Sequence, residues 1–105
     1  MLRIYPFIIE TLKLTAPIVG EIAKRDADLA RQMRRAASSI ALNTAEAWGS
    51  AGGNERLRFR SAHSSTQEVR ACLDVAEALA YVDAVDEGLR DRFDRIAATL
   101  YRLAT

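Results

Sequence analysis

The residue types that can do chemistry in this chain cluster in its middle: His63 flanked by Ser61, Ser64 and Ser65, the lone Cys72, and Asn43, Glu46 and Glu68 set among small or apolar neighbours. A serine nucleophile needs a base that is itself held by a third group, and an oxyanion donor beside it. The spacing here supplies neither a strained elbow nor an oxyanion loop. A di-iron bundle needs Glu-x-x-His pairs, but Arg60 stands three residues before His63, which is the only histidine. The stretch GSAGGN at 49–54 lacks the Lys-Ser/Thr of a phosphate loop and follows helical rather than strand periodicity, so its glycines serve a turn. Cys72 lies in the apolar pattern of VRACLDVAEAL and reads as a small core residue. A single cysteine excludes an internal disulfide and fits a reducing compartment. The sequence therefore points away from catalysis, metal and cofactors.

The elements that carry these residues are helical. Half of the 105 residues are hydrophobic, seven are aromatic, and Gly and Pro together number seven, a composition that favours closely packed helices. At this length the chain forms one domain, 1–105, with a thin core. No run approaches the roughly 20 apolar residues of a membrane span, and Glu10 interrupts the apolar start. The expectation is a soluble, cytoplasmic protein with no membrane partner.

Four helical segments follow from periodicity and punctuation. The first, about Arg3 to Ala23, carries Ile4, Ile8, Leu12, Val19 and Ile22, with Pro17 in its interior, which predicts a kink there rather than a break. The second starts at a cap supplied by Asp26 or Asp28 and runs Leu29, Met33, Ala36, Ile40, Asn43, Ala47. The third, capped by Asn54 and extending to about Val82, has two seams. One is Leu57, Ser61, Ser64, Glu68, Cys72, Val75, Leu79 and the other Phe59, Ala62, Thr66, Val69, Leu73, Ala76, Ala80, so this helix is expected to pack on two sides. The fourth begins at Asp83 or Asp86 and repeats Leu89, Phe93, Ile96, Leu100, Leu103. Short connections imply an all-α, antiparallel, up-down-up-down four-helix bundle, with helix 1 kinked near Pro17.

Polar residues interrupt the second and third seams at similar distances from the glycine loop. Antiparallel packing would bring them together, in a layer of Arg35, Asn43, Ser64, Ser65 and Glu68, with Arg35 pairing Glu68 so that neither charge is stranded. Its expected role is to fix the register of two Ala- and Ser-rich helices.

Charge is uneven. Residues 31–70 hold seven Arg against three Glu, and residues 73–105 hold four Arg against seven acids, within a net charge of +1. Arg31, Arg34, Arg56, Arg58 and Arg60 form a candidate phosphate-binding surface, with a solvated Arg-rich face as the other reading. Trp48, Tyr5 and Tyr101 are candidate anchors for a protein partner. For Trp48 the preferred reading is an aromatic that plugs the end of the bundle.

Residues 29–49, LARQMRRAASSIALNTAEAWG, and 59–82, FRSAHSSTQEVRACLDVAEALAYV, resemble the four-helix-bundle family of 23S rRNA intervening-sequence proteins, whose relatives include the accessory variability proteins of diversity-generating retroelements. Gln32, Arg35, Ala36, Ser39, Ile40, Asn43, Ala45 and Glu46 match the first block of the family pattern. Ala62, Ser65, Glu68, Leu79 and Tyr81 match the second. Thr44 stands for Ile, Ala47 and Ser64 for Gly, and Ser50 for Arg. The resemblance implies a small non-enzymatic helical protein that forms a homo-oligomeric ring, commonly a pentamer, and whose relatives engage RNA or DNA and a protein partner. Apolar surface at Ile4, Phe7, Leu14, Trp48, Phe93 and Leu100, beyond what one seam requires, is expected to serve such assembly.

Overall fold

A computed structural model describes residues 3–50 and 53–105. Among these, four helices account for all the regular structure: α1 Ile4–Ala23, α2 Ala27–Gly49, α3 Asn54–Ala78 and α4 Glu87–Ala104. Each helix packs on the next and α4 returns to α1, closing a four-helix bundle about 44 Å long. Side chains joining α2 to α3 pair Glu46 with Arg58 and Ser39 with Ser65, and those joining α3 to α4 pair Arg70 with Asp94 and Asp74 with Arg90. Numbers fall on one helix as they rise on the other, the register of antiparallel neighbours.

Caps place the helix starts. Asp26 accepts from the Leu29 amide at 2.9 Å, and Asp86 from the Leu89 amide at 3.1 Å, so these two, rather than Asp28 and Asp83, are the N-caps. Asn54 is instead the first residue of α3, whose N-cap, Gly53, has no side-chain bond. Of the glycine-loop turn, residues 51–52 lie outside the described residues. Helix α3 stops at Ala78, short of the expected Val82. Ala80 adopts φ 58°, and the amides of Ala80 and Tyr81 bond back to the carbonyls of Glu77 and Ala76. That is a Schellman ending, built here without the usual glycine.

Helix α1 continues through Pro17. The carbonyl deprived of its donor belongs to Lys13, which like Pro17 is exposed, so water can meet it at little cost. On the buried side of the same helix, the hydroxyls of Thr11 and Thr15 donate to the carbonyls of Phe7 and Thr11, each at 2.7 Å. Thr44 and Thr66 do the same on α2 and α3, which lets four threonines sit in the core with their polar atoms satisfied.

The core is the α4 seam of Leu89, Phe93, Ile96 and Leu100 packed with Ile8, Ile22, Met33, Ile40, Phe59 and Leu73. Only one of the two α3 seams is buried. Phe59, Ala62, Thr66, Val69, Leu73 and Ala76 face inward, whereas Leu57, Ser64, Glu68, Val75 and Leu79 are exposed, with Cys72 the buried exception. A helix flanked by two neighbours in a four-helix ring needs a single broad inward arc, and the second seam falls outside that arc. Burial, with Glu68 nearby, pushes the Cys72 thiol pKa up and keeps it protonated.

One end of the bundle is tied by carboxylates. Glu77 accepts from the Val85 amide at 2.6 Å and from Arg90 at 2.6 Å, while Asp26 accepts from the Tyr81 hydroxyl at 3.1 Å, joining the α1–α2 and α3–α4 connections. The Val85 amide is the chief cause, with Arg90 adding to it, that holds Glu77 below its ordinary pKa of 4.5. The Leu29 amide is the chief cause that lowers Asp26. A depressed folded-state pKa means stability that is present above the unfolded value and lost as pH falls toward the folded one. Thermal midpoints for the wild type and Glu77→Gln are therefore expected to differ at neutral pH and to converge once pH drops well below 4.5. A gap that is constant with pH would rule out the Glu77 carboxylate as the acid-sensitive tie.

Candidate functional site

Helices α2 and α3 form the most extensive pairing in the bundle, and both bury small residues, Ala36 and Ala47 on α2 and Ala62 and Ala76 on α3. On the solvent side of this contact lies an open groove of about 590 Å3, bordered by Arg34, Arg35 and Arg58 and floored by Ser39 and Asn43. Ser39 is its hub. Its Oγ accepts from the Ser65 hydroxyl across the interface at 2.8 Å and from Asn43 Nδ2 at 2.9 Å, and Asn43 also donates to the Ser39 carbonyl at 3.0 Å. Asn43 thus sits in the seam because it is held by its own helix and by the hydroxyl pair that links α2 to α3.

The structure brings together only part of the expected polar layer. Asn43 and Ser65 meet through Ser39, which matched the family pattern but was not placed in the layer. Arg35, Ser64 and Glu68 are exposed, and no ion pair joins Arg35 to Glu68 among the described residues. Water solvates both charges, so neither needs the other. The signal for Ser39 lies in the spacing, since positions 39 and 43 are one turn apart on the same face. Glu46, the other polar residue of this stretch, is exposed and pairs with Arg58 at 3.0 Å.

The five candidate phosphate-contacting arginines divide. Arg31 is bonded to Asp28 and Arg58 to Glu46, leaving Arg34, Arg56 and Arg60 exposed and without an acidic partner among the described residues. Arg56 and Arg60, four apart, share a face of α3. Arg58, two residues from each, lies on the side that meets α2. Arg34 and Arg58 border the groove. The cationic surface is thus two small groups rather than one continuous patch.

His63 is half-buried with its ring 5.7 Å from Tyr101, an aromatic contact between α3 and α4. Of the aromatic anchors, Trp48 and Tyr101 are exposed, and Tyr5 packs against the core. Trp48, 56 % exposed beside the glycine loop, does not plug the bundle end. Ile4, Phe93 and Leu100 are consumed by the core of the single chain. Phe7 is half-covered by the guanidinium groups of Arg92 and Arg95 at 4.1 and 4.5 Å. Of the apolar surface expected for assembly, Leu14 and Trp48 remain open, joined by Leu42, Leu57, Val75 and Leu79.

With this geometry in hand, a family model decides the relationship: that of the 23S rRNA-intervening sequence protein matches residues 8–102, nearly the whole bundle. The chain belongs to this family. No curated protein and no solved structure matches it. In this 23S rRNA-intervening sequence protein the Ser39–Ser65–Asn43 link joins α2 to α3, and Thr44 fits the core by donating its hydroxyl to the Ile40 carbonyl at 2.7 Å. No helix of the described residues is long and apolar enough to cross a membrane.

Proposed function

We propose that this member of the family is a non-enzymatic, cytoplasmic protein that assembles into a homo-oligomeric ring, in the pentameric size that the family resemblance implies, and that it meets nucleic acid through Arg34, Arg56 and Arg60, with Arg31 and Arg58 at the margin. The observation that carries the nucleic-acid reading is that three exposed guanidinium groups have no acidic partner among the described residues and so are available to phosphate. Repetition around a ring would multiply two small cationic groups into a field that one chain does not produce. The assembly reading rests on the open Leu42, Leu57, Val75 and Leu79, which one bundle leaves in water.

Binding of this kind releases counterions, so log affinity for RNA or DNA falls linearly with log salt. Replacing Arg56, Arg58 and Arg60 together by Ala is expected to weaken binding and flatten that slope. Salt-independent binding would overturn the mechanism. Trp48 supports a second reading, a protein-binding adaptor with no nucleic-acid role, because a large aromatic 56 % exposed at a bundle end is a ready anchor. Absence of RNA and DNA binding even at low salt would favour it.

A further inference from the structure

Two exposed stripes on different helices share one spacing. α2 turns Arg31, Arg35, Ser38, Leu42, Ala45 and Gly49 to solvent, and α4 with its C-cap turns Glu87, Asp91, Asp94, Ala98, Tyr101 and Thr105. Both advance by four, three, four, three and four, so each is a straight seam of roughly 27 Å along its helix. Asp94 and Tyr101 touch Arg70 and His63 of α3 at the edge of the α4 seam, and Arg35, Ser38 and Leu42 border the groove toward α3, while every residue of both seams stays exposed.

Laid parallel and in register, the stripes are complementary at each level. Arg31 meets Glu87 and Arg35 meets Asp91 at the amino-terminal end, and Ser38 offers a hydroxyl to Asp94. Leu42, 62 % exposed, falls on Ala98, and Tyr101, 61 % exposed, falls on Ala45, so each large side chain lands on a small one. Gly49 leaves room for Thr105. Inside the single chain, Arg31 is engaged by Asp28 and Asp94 by Arg70, but Arg35, Glu87 and Asp91 have no ion-pair partner among the described residues. The unspent charges are opposite in sign and stand at matching levels.

We infer that the α2 stripe of one copy docks, parallel and in register, on the α4 stripe of a second copy of this chain. The inference rests on the self-assembly proposed above and names the faces that would make it. α2 and α4 run in the same direction within one bundle, both starting at the end that carries Asp26 and Asp86. A parallel match therefore points all copies the same way. Because the two surfaces differ, the contact is heterologous, the type that generates rings when its rotation closes. The antiparallel alternative would set Arg35 against Tyr101 and Leu42 against Asp94, losing both the charge pairing and the fit of large on small.

The test is sedimentation velocity of the full chain over a wide range of concentration, with helical content followed by circular dichroism. Arg35→Glu and Asp91→Arg, each an exposed change that leaves the fold intact, are expected to weaken self-association at least tenfold, because each sets like charges face to face. The two together are expected to restore it to within about threefold. Lys13→Glu, the same change of charge away from both stripes, leaves association unchanged. Ala45→Trp, which fills the seat of Tyr101 without altering charge, dissociates the assembly. A wild-type oligomer whose mass ignores both reversals overturns the inferred faces and leaves the ring standing. A wild type that stays monomeric at every concentration overturns both.

Discussion

Phe93→Ala is expected to lower the free energy of unfolding by about 3–5 kcal/mol, the usual range for emptying a buried aromatic site. Phe93 is 1 % exposed and belongs to the α4 seam that the other three helices enclose. A domain of this size is stable by some 5–15 kcal/mol, so the loss is a large share of the total. Each kcal/mol corresponds to about 4–8 °C of thermal midpoint. Urea titration is the check, with a lower midpoint and an unchanged slope expected. A loss below about 1 kcal/mol would mean that the surrounding helices collapse onto the vacated space, and that the seam is far less rigid than a close-packed core.

Ala62→Leu tests the opposite constraint. Ala62 is wholly buried on α3, one turn before Ser65, which bonds across to Ser39 of α2, and Ala36, Ala47 and Ala76 of the same two helices are buried as well. Added side-chain volume cannot be absorbed without moving a helix, and overpacking of this kind costs about 1–3 kcal/mol. It also strains the single hydroxyl bridge between Ser39 and Ser65, whose 2.8 Å length leaves no slack. The same substitution at exposed Ala71 on the same helix should fall within about 0.5 kcal/mol of wild type. Denaturant midpoints of the two variants decide the matter. Equal effects at the two positions would show that the α2–α3 distance is not set by small residues.

The two substitutions bear on different kinds of information. The α4 seam is legible because large apolar residues repeat at three and four, and burying them is the main gain available to the chain. The choice between the two α3 seams is not legible in the same way. Both carry the right period and both contain apolar residues, and only the angular position of α2 and α4 around α3 says which is enclosed. The Phe59 seam has one polar residue, Thr66, against Ser61, Ser64 and Glu68 on the other, and enclosing it rather than its rival avoids the cost of burying those polar groups. The Leu57 seam, with Ser61, Ser64 and Glu68, is left outside, and this exposure puts Ser64 and Glu68 in water rather than in a buried layer.

The polar site shows the same division. Asn43 and Ser64 are recognisable as polar residues at equal distance from a turn, but it is the neighbouring Ser65, also in the expected layer, that antiparallel packing brings to Asn43 through Ser39, while Ser64 faces water. The expected Arg35–Glu68 pair assumed burial, and with solvent present the reason for pairing disappears, since exposed ion pairs contribute little. Which arginines are free was likewise undetermined by sequence, because Glu46 reaches Arg58 only across the interface.

Sequence by itself determined the number of helices, their order, a pair of candidate caps for each of α2 and α4, and the core seam of α4. These are local or periodic properties, fixed by backbone hydrogen bonding and by the partition of side chains between water and an apolar phase. Tertiary structure decided which candidate caps α2 and α4, which side of α3 is inside, that α3 ends at Ala78 with a left-handed residue at Ala80, that Ser39 is the hub of the α2–α3 contact, and which charges are paired within the chain. Those depend on distances between residues far apart in sequence, and only the packing of one helix against another sets such distances.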